Sequence, residues 1–177
     1  IRLHSKIEYA KMARRIGLGV PEFQLCRSMD DVRRLDPLKE WAVKPVFGRA
    51  NTDVHHLIPG NGVPTISINE DRQYIAQEWI SGNRYCSYSI FDRGVLKVHG
   101  AYPVLETIDG SSCVYFESCH HAKIREYVEL LAEYLYPLHG QVGPDFVETA
   151  DSLVTIDCNP RATSGVHLWS GTPYLAG

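Results

Sequence analysis

The sequence predicts an α+β protein built on antiparallel sheets, on three observations. First, β-rich runs come in pairs around short turn signals. Residues 54–58 and 65–68 flank Pro59-Gly60-Asn61-Gly62, residues 85–91 and 95–102 flank Asp92-Arg93-Gly94, and residues 144–149 and 153–158 flank Ala150-Asp151-Ser152. Such spacing makes hairpins, since parallel strands need far longer crossovers. Second, helix-start signals occur twice, as Ser-x-x-acid boxes at Ser5 and Ser28. Third, Ile124, Val128, Leu131, Leu135 and Leu138 recur at helical spacing and supply a cover for a sheet. The 177 residues suffice for one buried core or for two small lobes of one domain.

In chain order, Ser5-Lys6-Ile7-Glu8 opens a helix that Gly17 stops. Lys6 sits in its first turn. A strand over 22–26 leads to the second box, Ser28 to Asp31, and a helix that ends before Pro37. Trp41-Ala42-Val43-Lys44-Pro45 is an apolar strand with a lysine near its end. The polar loop Phe47-Gly48-Arg49-Ala50-Asn51-Thr52-Asp53 follows, with a single glycine. After the 54–68 hairpin comes the strand over 74–82, then the 85–102 hairpin, a strand over 114–117 and the long helix. His55, His56, His120 and His121 read as solvated. His167 reads equally well as packed or as facing a ligand.

Composition excludes several classes. A net charge of −3 with interspersed signs leaves no broad basic surface, so nucleic acid is not an expected partner. Cys26, Cys86, Cys113, Cys119 and Cys158 are odd in number and contain no Cys-x-x-Cys pair. That pattern argues against a disulfide framework or zinc ribbon and fits a reducing cytoplasm. No apolar run approaches the ~20 residues of a membrane span. Ile1 in place of an initiator Met reads as the start of a fragment.

The last hairpin carries the clearest chemistry. A pairing centred on Asp151 sets Thr149 against Leu153, Val147 against Thr155 and Asp145 against Asp157. Asn159, two residues beyond Asp157, joins them on the same face. Two carboxylates and an amide oxygen select a hard cation such as Mg²⁺. Arg161, after an Asn-Pro turn, offers a planar fork for phosphate or carboxylate. A buried strand closed by that turn, its acids solvated on an open face, is the other reading of the hairpin alone.

Gly143-Pro144-Asp145-Phe146-Val147 followed by Ile156-Asp157-Cys158-Asn159-Pro160-Arg161-Ala162-Thr163-Ser164-Gly165-Val166-His167-Leu168 resembles the end of an ATP-grasp domain. The form is similar to that of carboxylate-amine ligases and of the carbamoyl-phosphate synthase large subunit. The resemblance covers most of the chain. It implies two α+β lobes whose antiparallel sheets sandwich the nucleotide, a nucleotide lobe over 1–76 and a hinge and metal-binding lobe over 77–177, with a preceding α/β domain expected in cis. It makes Asp145, Asp157 and Asn159 the ligands of one or two Mg²⁺, with Mn²⁺ able to replace it, and places Arg161 beside the transferred phosphoryl group. Lys6 and Lys44 would meet the ATP phosphates, Gly48 and Arg49 would belong to the loop that closes over them, and Gln77, Glu78, Trp79 and Ile80 would edge the adenine.

Two departures from the family pattern stand out. The second acidic ligand is Asp157 where Glu is usual, and Arg84 stands where relatives place a ribose-binding Glu. An arginine cannot accept a hydrogen bond from a hydroxyl. The activity implied is an ATP-dependent ligase that activates a carboxylate as an acylphosphate for attack by an amine or thiol. A non-catalytic ATP sensor and a kinase on the same fold are the alternatives. Small-molecule acids and amines or thiols are the partners implied, and a homodimer is compatible with them.

Overall fold

The computed structural model describes residues 2–48, 52–108, 110 and 112–173. Helix α1 (Lys6–Arg15) starts where Ser5 Oγ accepts the Glu8 N–H at 3.5 Å, so half of the expected box forms. The Glu8 carboxylate goes to Lys11 instead, at 2.9 Å. The second box forms in full at the head of α2 (Met29–Arg33). Strands β1 (Phe23–Cys26), β2 (Trp41–Pro45), β3 (His55–Leu57) and β4 (Tyr74–Glu78) make one antiparallel sheet in the order β1-β4-β2-β3. Strands β5 (Asn83–Asp92) and β6 (Val95–Pro103) are joined by a two-residue turn with both φ angles positive, at Arg93 and Gly94, as the right-handed strand twist favours.

Strands β7 (Thr107–Ile108) and β8 (Ser112–Cys113) form a small separate arm. Helix α3 (Ala122–Tyr134) precedes β9 (Gly140–Glu148) and β10 (Leu153–Asn159). The second sheet runs β10-β9-β5-β6, and a 3₁₀ helix (Ser164–Trp169) closes the described chain over its edge. Gly100 leaves the room for that closure, since a Cβ there would sit 2.6 Å from the Trp169 ring.

Helix α1 lies between the sheets. Its Ile7 and Ala10 pack with Val46 and Ile75 of the first sheet's side. Tyr9 and Met12 pack with Phe91, Val142 and Cys158 of the second sheet and with Val128 and Leu131 of α3. The two faces of α1 thus join two separate apolar clusters, one on each sheet, the arrangement that hydrophobic burial favours.

Two expected strands are absent. Residues 65–68 are irregular, because Ile66 turns into the core beside Trp41 and Tyr74 and its N–H goes to Met29 Sδ at 3.4 Å. Residues 114–117 are also irregular, and just beyond them Cys119 forms an isolated bridge with Ala101 of β6. Among the described residues no helix is long and apolar enough to cross a membrane, and all five cysteines are unpaired.

Candidate functional site

The two sheets face each other across a cleft of about 380 Å³. Lys6, Lys44, Gly48, Asp145, Asp157, Asn159 and Arg161 all line it. They arrive from four places in the chain: the head of α1, the end of β2 with its following loop, the middle of β9, and β10 with its exit.

On the second sheet the acids are set by register and by a bulge. The loop over 149–152 is closed by Thr149 N–H to Ser152 O at 2.8 Å, so Leu153 pairs with Glu148 and Thr155 with Phe146. This corrects the expected pairing of Thr149 with Leu153 and Val147 with Thr155 by one position. The register then shifts between Thr155 and Asp157, and Asp157 stands across from Asp145 as expected. Without the extra residue Asp157 would share the face of Thr155, which is buried against Tyr9. Ile156 is left without a ladder partner, and its carbonyl accepts Lys44 Nζ at 3.0 Å.

Charge balance around the pair is tight. Lys6 Nζ lies 3.1 Å from Asp157 Oδ2 and donates to Gly48 O at 3.0 Å. Asp157 Oδ1 accepts the Cys158 N–H at 2.8 Å. Asn159 Nδ2 donates to Asp145 Oδ2 at 3.3 Å, and Asn159 Oδ1 accepts Arg161 Nη2 at 3.1 Å. Burial and the facing Asp157 carboxylate push the Asp145 carboxyl up to about 6. Burial draws the Lys44 ammonium down to about 8, against the pull of Asp157 and Asp145. A cation set among these oxygens would relieve the repulsion that lifts Asp145.

Gly48 presents its carbonyl to Lys6, so its role in this geometry is to hold the lysine. Arg49 lies outside the described residues. The far end of the loop is anchored by Asp53, which accepts from Tyr74 Oη and Arg72 Nη2. Burial and the Asp53 bond push the Tyr74 hydroxyl up to about 12.

Gln77, Glu78, Trp79 and Ile80 do not line this cleft. Gln77 is buried within the first sheet and Glu78 lies 3.6 Å from Lys39. The Trp79 ring stacks on His56 at 3.7 Å, and the Trp79 backbone N–H donates to Glu40 O at 2.9 Å. Main-chain pairing to a base through Trp79 is therefore left to its carbonyl. Arg84 Nη1 donates to Gly110 O at 2.9 Å, which ties the β7–β8 arm to β5.

Residues that sequence reasoning passed over also line the cleft: Cys86, Tyr102, Phe116 and Thr163 among them. Thr163 Oγ1 is buried without a hydrogen-bond partner, an arrangement that costs free energy and suits a site built to receive a polar ligand. Its place two residues after Arg161 was the available signal. Cys86 could be found only from register, as the β5 partner of Asp145.

A family model for the ATP-grasp domain matches residues 3–165. No curated protein sequence gave a significant match. Among solved structures, the chain is similar to L-amino acid ligase from Bacillus licheniformis, with TM-score 0.67 and 14% identity over 97% of this chain and 44% of that one. It is similar to the ADP complex of PurK, an N5-carboxyaminoimidazole ribonucleotide synthetase, with TM-score 0.71 and 15% identity over 96% and 48%. It is also similar to the ATP-grasp ligase PsnB complexed with minimal precursor, Mg and ADP, with TM-score 0.63 and 19% identity over 91% and 51%. The chain thus spans about half the length of each. These identities speak for the fold, and the family model covers nearly the whole chain: this chain belongs to the ATP-grasp family.

Proposed function

We propose that the chain carries the ATP-binding and carboxylate-activating part of an ATP-dependent ligase. The γ-phosphoryl group would pass to a substrate carboxylate, and an amine or thiol would then attack the acyl carbon and displace phosphate. The observation that supports this most directly is the convergence of Lys6, Lys44, Asp145, Asp157, Asn159 and Arg161 on one cleft. The division into a nucleotide lobe over 1–76 and a hinge and metal-binding lobe over 77–177 belongs to the same proposal, as does a cytoplasmic setting.

Lys44 is the strongest candidate for a phosphate partner. Its ammonium is buried and bonded to a single carbonyl, so an anionic oxygen would stabilise its charge far better. Lys6 would share that task from the head of α1. Asp145, Asp157 and Asn159 fit a hard divalent cation: all three donors are oxygens on one sheet face, and the two carboxylates oppose each other. Bound there with ATP, Mg²⁺ would neutralise the charge that develops on the phosphoryl oxygens. Arg161, whose fork now rests on Asn159 and Ala162 O, would meet the same charge from the exposed side. Gln77, Glu78, Trp79, Ile80 and Arg49 are assigned to the base and to the closing loop.

Acid-dependent ADP release by the full chain tests the reading. Asp157→Asn should abolish it while circular dichroism stays unchanged; undiminished Mg²⁺-dependent turnover would remove Asp157 from the site. Arg161→Lys keeps the charge and loses the fork, so turnover should fall at least about tenfold while Mg-ATP affinity changes by less than about tenfold. A protein that binds Mg-ATP yet releases no ADP with any acid and amine would be a sensor instead.

A further inference from the structure

Beyond the phosphate and metal end, the cleft changes character. Asp157, Asp145, Cys86 and Tyr102 are successive cross-strand partners on β10, β9, β5 and β6, so they form one row across the same sheet face. The cations enter at the β10 end, where Lys6 meets Asp157 and Lys44 meets the Ile156 carbonyl. Two strand spacings of ~4.8 Å put Tyr102 about 10 Å from Asp145.

The walls at that far end are rich in ring and aliphatic surface. The Phe116 ring stands edge-on to Tyr102 at 5.3 Å and is backed by His167 at 5.7 Å. Val104 and Cys113 line it too, as do Tyr85 and Arg84 from β5. The Arg84 guanidinium donates to the Gly110 carbonyl at 2.9 Å.

We propose that this end of the cleft, walled by Tyr102, Val104, Cys113 and Phe116, receives the side chain of the acid and selects an apolar or aromatic group over a charged one. The inference rests on the ligase reading and deepens it. An acid whose carboxylate sits by Asp145 and Arg161 has about 10 Å in which to extend, enough for a ring or a four- to five-carbon chain. A second carboxylate at the far end would be desolvated against Phe116 and Tyr102, and among the described residues the guanidinium on this side, Arg84, already donates to the Gly110 carbonyl, so the charged end is disfavoured.

Matched acids test this, differing only at the far end: hexanoate against adipate, and L-norleucine against L-2-aminoadipate. Each is titrated calorimetrically into the full chain with Mg-ADP, and each is assayed for ADP release with Mg-ATP. The apolar member of a pair should bind and turn over roughly 10- to 200-fold better, the range for apolar-pocket discrimination. Phe116→Ala should cut that ratio at least about tenfold, and Phe116→Leu should keep most of it. Equal use of the charged member, or a ratio unmoved in Phe116→Ala, would overturn the inference and leave the ligase reading standing. Preferential binding of hexanoate without ADP release would support the pocket and overturn the ligase reading. Failure of all four acids to bind would overturn the pocket.

Discussion

Lys44 shows how a buried charge can cost stability. Its ammonium titrates near 8 in the folded protein, because burial outweighs the attraction of Asp157 and Asp145, and near 10.5 when unfolded. Between those values the unfolded chain binds more protons, so stability should rise with pH from about 8 to 10.5. Below 8 the folded state carries the full cost, roughly 3 kcal/mol at 1.36 kcal/mol per pKa unit. Lys44→Met should therefore be more stable than the parent at pH 7, by up to roughly 2 kcal/mol once the lost bond to Ile156 O is counted. Urea unfolding at pH 7 and at pH 10.5 measures this, and the gain should shrink at the higher pH. A variant less stable at pH 7 would contradict the burial argument. The same change should weaken Mg-ATP binding about ten- to hundred-fold, the worth of a charge-assisted hydrogen bond.

At the scale of elements, backbone geometry decides whether the site assembles. The bulge at Ile156 returns Asp157 to the cleft face and frees the carbonyl that holds Lys44. A one-residue difference in the turn and one extra residue in the strand cancel, so the sequence argument reached the right acid pair through a wrong local register. Close strand approaches matter as much. A Cβ on Gly82 would lie 2.3 Å from Glu148 O and 3.0 Å from Val147 Cγ1, where β5 begins beside β9. Since a backbone oxygen cannot move aside cheaply, Gly82→Ala should cost roughly 1–3 kcal/mol, or several degrees in Tm for a chain of this size. An unchanged melting temperature would show that β5 and β9 can separate there without loss.

For the whole molecule the seam is α1, whose two faces belong to different sheets. Tyr9 is its polar fastener. The hydroxyl lies 2.7 Å from Thr155 Oγ1 and 3.4 Å from Tyr127 Oη, joining α1 to β10 and α3, while Thr155 Oγ1 also donates to Asp145 O at 3.1 Å. Burial lifts the Tyr9 hydroxyl well above its usual range, so it stays neutral at all ordinary pH values. Tyr9→Phe keeps the ring and leaves Thr155 its bond to Asp145 O, so the loss should sit near 1 kcal/mol. Because Thr155 lies on β10 two residues before Asp157, ADP release should fall with stability if the proposed site holds; full activity at reduced stability would confine Tyr9 to packing.

The sequence by itself determined what short-range chemistry can encode: helix starts at Ser5 and Ser28, the turn at Arg93-Gly94, strands with the right alternation, and the lysines, acids and arginine of one family pattern. Those signals act over a few residues, through capping bonds, turn dihedrals and side-chain alternation. Where long-range burial competes, they fail. Residues 65–68 look like a strand yet surrender pairing so that Ile66 can enter the core, and residues 114–117 do the same to set Phe116 against Tyr102. Tertiary structure alone decided that Lys44 is buried against an unpaired carbonyl 112 residues away. It alone placed Cys86, Tyr102 and Phe116 along the cleft with Asp145, because cross-strand neighbours and facing walls are set by sheet register and packing, which no local stretch of chain contains.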